Sequence, residues 1–254
     1  DVEFHNLGPE GKETVLIKYL TNRSITDYYE ACDLEPYVLE EQPRAAGTEP
    51  IEIAIRPFQP ADAVEVSRCV YRSYGYTYGY EHLYFPERVV QLNESGDVLS
   101  VVAETSEHQI AGHAAFIRPQ PPSLTGEMGM AVVKPEFRSH GLLNRMTDYL
   151  LKEIRSESVI GVYGRAVTNP TFSQQVGMRM GMRDCALQLA FVPADVTFRG
   201  ITEKLLHRDT AIVHFMYVHP PSRGQLCIPA HHRDMVLRLY ENIGASWELE
   251  EHDG

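Results

Sequence analysis

The chain has 254 residues, 43% of them hydrophobic and 23% charged, which is the composition of a globular protein able to bury a core. Its formal net charge of −12 argues against a nucleic-acid partner, because such affinity rests mostly on basic contacts to phosphate. No apolar run approaches the roughly 20 residues that a helical membrane span needs, so a membrane partner is not expected either.

The chain opens with neither Met nor a basic-then-apolar leader, so it reads as a piece of something longer and gives no support to secretion. Val2-Glu-Phe-His5 and Thr14–Leu20 are expected as two strands joined by a Gly/Pro turn at Asn6–Lys12. Residues 1–50 carry four Lys/Arg against eleven Asp/Glu, and Gln42–Pro50 has the Pro/Gly/small character of a linker.

From Ile51 the texture changes. Ile51–Pro57 alternates like a strand, and Ala61–Tyr71 has apolar residues at helical spacing. Val98–Glu104 and Ile110–Ile117 form an expected hairpin around polar Thr105–Gln109, and Glu127–Val133 is a further strand. Leu142, Leu143, Met146, Leu150 and Ile154 define an amphipathic helix. Val159–Val167 reads as strand, Ser173–Met180 as helix and Cys185–Val192 as strand, so the fold class is a mixed α/β layer architecture. At an offset of 63, Gly161, Asn169 and Gly181 fall on Gly224, His232 and Gly244, which suggests that the last 60 residues repeat a strand–helix–strand unit.

The most informative stretch runs from Glu127 to Met146. A strand ends at Pro135, and Arg138-Ser-His-Gly141 turns directly into the amphipathic helix. A helix N-terminus presents unpaired backbone N–H groups and the positive end of a dipole, so such a turn suits a phosphate. Arg138 and Arg145 offer charge-assisted contacts, and residues 134–155 carry five bases against three acids inside an otherwise acidic chain. Six tyrosines stand between Tyr71 and Tyr84, with glycines among them. They suit either a binding wall or an aromatic packing layer. Cys32, Cys69, Cys185 and Cys227 are far apart, form no CxxC and suggest no nucleophile, which fits reduced thiols in a cytoplasmic protein. His219, Cys227, His231 and His232 match no zinc spacing, so no metal is expected, and His231–Asp234 reads as a helix start.

Val133-Lys-Pro135-Glu-Phe-Arg138-Ser-His-Gly141-Leu-Leu143 resembles the acetyl-CoA-binding motif of the GNAT family of N-acetyltransferases, V-x-P-x-x-R-x-x-G-x-G/A. Val167-Thr-Asn169, Ser173-Gln174 and Met180-Gly181-Met182 resemble the family's second block, and Ile55-Arg-Pro57 its opening, so the likeness spans about residues 51–190. The resemblance implies a V-shaped mixed sheet with acetyl-CoA as co-substrate. Its pyrophosphate would lie on Arg138, Ser139, His140, Gly141, Leu142 and Leu143, its pantetheine arm along Met130, Ala131, Val132 and Val133, with Asn169 in the second block also contributing. Leu143 departs from the small residue expected there. The resemblance further implies direct attack of an amine on the thioester, with Glu127 as the base. The family's usual acid, a Tyr four residues before the second-block Gly, is replaced by Gly177. Tyr240, four residues before Gly244, serves instead only if the C-terminal unit folds over the cleft; otherwise it belongs to a second, incomplete half.

The expected organisation is thus residues 1–50 as hairpin and acidic linker, 51–190 as a GNAT-like domain, and 191–254 as an extension resembling half of one. The acceptor would be an amine on a small molecule or a protein, and an oligomer is compatible with the sequence. Residues 1–20 also resemble the last hairpin of histidine-kinase-like ATPases of the anti-sigma serine kinase type. That likeness supports a rival reading, an impaired acyl-CoA sensor fused to a regulatory ATPase.

Overall fold

The protein is described by a computed structural model covering residues 2–7, 13–18, 52–120, 123–168, 171–194, 196, 207–220, 225–228, 230–245 and 248–250. The central feature is a seven-stranded sheet of β3 (Ile53–Pro57), β4 (Val98–Thr105), β5 (Ile110–Ile117), β6 (Thr125–Val133), β7 (Gly161–Val167), β8 (Arg183–Val192) and β9 (Asp209–Tyr217). The spatial order is β3-β4-β5-β6-β7-β9-β8, antiparallel throughout except for the β6–β7 pair. β9 is thus inserted between two strands that precede it in sequence.

Helices cover both faces. On one lie α1 (Ala63–Tyr74) and α2 (Pro86–Glu94), and Val66, Cys69 and Val70 of α1 bury completely against Val102, Ile110, Ala115, Met130 and Val132. On the other, α3 (Leu142–Ile154) places Leu142, Met146, Leu150 and Ile154 on Val101, Ala103, Ala111 and Phe116. Those four positions are the i, i+4, i+8, i+12 stripe visible in the sequence, and each contributes up to about 1.5–3 kcal/mol by leaving water. α4 (Phe172–Arg179) connects β7 to β8, and α5 (Arg233–Asn242) follows a 3-10 turn at Ala230–His232.

Beyond the main sheet, β1 (Val2–Leu7) and β2 (Glu13–Lys18) form the expected antiparallel hairpin. β10 (Gln225–Cys227) and β11 (Glu248–Glu250) pair in parallel with α5 between them in sequence. Two elements escaped the sequence reading. α2 begins at Pro86, a residue preset for the first helical turn, yet buries Val89 alone and so carries almost no periodic signal. β9 has only two buried residues in nine (Ala211, His214), because it is held by two neighbouring strands rather than by a continuous apolar face. No helix among the described residues is long and apolar enough to cross a membrane.

Candidate active site

The sheet opens at β6. This strand pairs with β7 only at Thr125↔Gly161, Gly126↔Val162 and Glu127↔Tyr163; the two strands then part, and residues 128–133 of β6 keep hydrogen-bonded neighbours on the β5 side alone. A bulge helps to turn β6 away. From His113↔Val132 to Ala115↔Gly129, β5 advances by two residues and β6 by three. Met130 takes φ 50° within this bulge, and His113 Nδ1–H donates to its carbonyl oxygen at 2.9 Å. The side chains of Met130 and Val132 are buried in the α1 core, while Ala131 and Val133 are half-buried on the α3 side, so a ligand in the opening meets the strand's free edge rather than its side chains.

The strand runs out at Lys134. Its ammonium is fully buried beside Glu65 at 3.3 Å, and Phe137 in the Pro135–Phe137 turn is buried in the α3 core, which pins the following corner from both sides. Ser139 and Gly141 both have φ 68°, a left-handed conformation that costs a non-glycine residue free energy and tends to persist where a site needs it. The first helical bond runs from Arg145 N–H to Gly141 O, leaving the amides of Leu142, Leu143 and Asn144 outside the ladder. A Cβ placed on Gly141 would meet no atom within 4 Å. The corner is therefore open at Gly141, with backbone amides left over at the helix start. His140 folds back, its Nδ1–H donating to the carbonyls of Phe137 and Arg138 at 3.1 and 3.0 Å. Arg138 is half-buried, and its charge reaches the Tyr74 hydroxyl, whose pKa burial nevertheless pushes up to about 12. Arg145 is exposed, and one N–H of its guanidinium donates to Ile53 O on β3. Leu142 points into the core, so only its backbone belongs to the corner, and Leu143 is half-buried. Asn169 lies outside the described residues.

At the point of parting sits Glu127, 6% exposed. Tyr80 O–H donates to its Oε1 at 2.7 Å, and Arg165 Nη1 lies 3.3 Å from its Oε2. Burial drives the Tyr80 pKa far up, and the adjacent Glu127 charge adds to this, so the phenol stays a donor. The same two causes, in the same order, raise that of Tyr163. The tyrosine run does line this side of the sheet. Tyr74 and Tyr78 stack at 4.4 Å between ring centres and Tyr78 and Tyr80 at 5.6 Å, and all six rings of the run pack against the α1 core. The segment is thus an aromatic packing layer that also brings Tyr80 to Glu127. Sequence reasoning singled out Glu127 but not Tyr163 or Arg165; the signal that would have found them is parity, since residues two apart on β7 share a face.

The missing side chain at Gly177 has a local counterpart. A Cβ there would lie 3.2 Å from Cδ2 and 3.3 Å from Cγ of His214 on β9. His214 is buried, its Nδ1 is 2.7 Å from Asp184 Oδ1, and its buried Nε2 has no partner among the described residues. Tyr240 is not brought to Glu127. α5 packs on β8, where Asn242 donates to Asp184 O, and β8 stands three strands from β6, about 14 Å at ordinary strand spacing. Cys69 is fully buried with its pKa pushed up to about 12 by desolvation, which removes it as a nucleophile.

No family profile and no curated protein matches the chain in sequence. Solved structures do match in shape. A protein from Desulfovibrio desulfuricans assigned to the GNAT family is 18% identical with a TM-score of 0.51, over 66% of this chain and 99% of that one. The ribosomal-protein-S18-alanine N-acetyltransferase of Escherichia coli is 12% identical with a TM-score of 0.53, over 67% and 97%. The protein yncA of Salmonella typhimurium, solved with acetyl-CoA, is 13% identical with a TM-score of 0.55, over 67% and 96%. None of these likenesses extends to histidine-kinase-like ATPases. The seven-stranded open sheet, its parted parallel pair and its flanking helices are the fold of the GNAT N-acetyltransferases.

Proposed function

We propose that this chain is an acetyl-CoA-dependent N-acetyltransferase that acts by direct attack of an amine on the thioester. The observation that carries the proposal is the parting of β6 from β7 directly after Glu127, with the open Ser139–Gly141 corner at the far end of the same strand. The backbone of residues 138–143 would hold the diphosphate through amides and the helix dipole, with Arg138 adding charge. The free edge of β6 from Met130 to Val133 would pair with the amides of the pantetheine arm. Acetyl-CoA, when bound, supplies an activated acyl carbon and a thiolate leaving group.

The chain's own residues manage protons and placement. An ammonium acceptor must lose a proton before its lone pair can attack, and Glu127 at the fork is the group placed to take it. Tyr80 and Arg165 fix the two carboxylate oxygens, which orients the base. Overall, one N–C bond forms and one C–S bond breaks; an ammonium sheds two protons, one ending on the leaving sulfur and one passing through Glu127 to solvent. Neighbours that share the fold acetylate the alanine of a ribosomal protein or carry acetyl-CoA, which supports an amine acceptor and this co-substrate for the present chain. A cytoplasmic enzyme of reduced thiols accords with this reading.

The absence of a hydroxyl-bearing side chain at Gly177 favours a second reading, in which acyl-CoA is bound but not turned over. One experiment separates the two. Calorimetry with coenzyme A, followed by thiol release across an amine panel, should give binding and turnover. Binding without turnover on every amine supports the sensor, and no binding by a folded protein overturns both.

A further inference from the structure

We infer that the acceptor is an amine carrying a carboxylate close to its amino group, such as a free α-amino acid, and that Arg165 is the residue that reads the carboxylate. The inference rests on the transferase reading for its site but not for its chemistry. Arg165 lies on β7 two residues beyond Tyr163, the register partner of Glu127, so it shares their face of the sheet and stands where β6 and β7 have already separated. Its Cζ lies 5.5 Å from the Tyr163 ring centre and 5.4 Å from that of Phe191. Two aromatic faces thus hold the guanidinium in place without using its N–H groups.

Among the described residues Glu127 is the sole polar partner of Arg165, through a single 3.3 Å contact, and the side chain remains 25% exposed. A guanidinium has five N–H donors in a planar fork suited to a carboxylate. The rest of that fork has no polar partner among the described residues. The charges at the fork sum to zero, with one carboxylate and one guanidinium. A polyamine would bring a second cation against Arg165, whereas an amino acid would set its ammonium on Glu127 and its carboxylate on Arg165, each charge matched. The 3.3 Å between the two protein groups is also the scale on which an α-amino acid separates its own.

The test uses binding that needs no turnover. Ligand-observed NMR on the whole chain would compare the protein amino acids with their C-terminal amides and with spermidine. We expect at least one amino acid to bind about 10- to 100-fold more tightly than its amide. R165M should erase that preference, while R165K, which keeps the charge but not the fork, should retain part of it. Circular dichroism would establish that both variants fold. Equal or tighter binding of amides or spermidine, or no amino acid binding at all, overturns the inference. Failure of the transferase reading looks different: the amino acid binds in an Arg165-dependent way, yet no thiol is released from acetyl-CoA.

Discussion

The Cβ that Gly177 lacks would sit 3.2 Å from the imidazole of His214, so the smallest residue of α4 and a buried histidine of β9 occupy one another's space. G177A should therefore forgo the gain of about 1 kcal/mol that Gly→Ala ordinarily brings within a helix. G177Y should cost about 1–3 kcal/mol by overpacking. Adding H214A should relieve much of that cost, so a double-mutant cycle followed by denaturant unfolding would show strong coupling. Additive effects would contradict the packing.

Glu127 and Tyr80 are separated by 47 residues and joined by a 2.7 Å bond. E127Q preserves the shape of the side chain but not its basicity. Thiol release should fall by about 10²- to 10⁴-fold, while calorimetric affinity for coenzyme A stays within about twofold. Y80F should cost about 1 kcal/mol of stability and a smaller share of turnover, since Arg165 still holds the other oxygen.

Gly141 has φ 68° and no atom near the site of a Cβ. G141A should lower stability by about 1–2 kcal/mol through backbone strain alone. G141D should add a negative charge to the corner and weaken coenzyme A binding further than G141A does. Equal affinity for the two variants would place the diphosphate elsewhere.

His113 should make the fold acid-sensitive. Burial lowers its pKa from 6.5 to about 4, and the bond to Met130 O only partly offsets this. Between those values the unfolded chain binds a proton that the folded chain refuses, so stability is full above about pH 6.5 and declines as pH falls toward 4. The slope from this residue approaches about 1 kcal/mol per pH unit. H113Q should flatten that part of the profile in urea titrations at stepped pH.

Sequence reading reached furthest where periodicity or turn chemistry was strong. The stripe on α3 and the hairpin of β4 and β5 were legible because a single face of each element meets the core. The corner at Arg138–Gly141 was legible because its glycine is demanded by a positive φ. Arg165 was not, since a charged residue in a strand has no local signature, and its meaning arises only from Glu127 on β6 and Phe191 on β8. Nor could the sequence place Tyr240, whose position depends on which edge of the sheet α5 covers.

The insertion of β9 between β7 and β8 has a consequence for how the molecule is assembled. One flank of the cleft leaves the ribosome with a gap one strand wide, and residues made some forty positions after β7 must close it. Any chain that stops short of Asp209 leaves Arg165 on a strand with an unpaired border, open to association with other chains. The tail that looks like an appendage in linear order is, in space, the keystone of that wall.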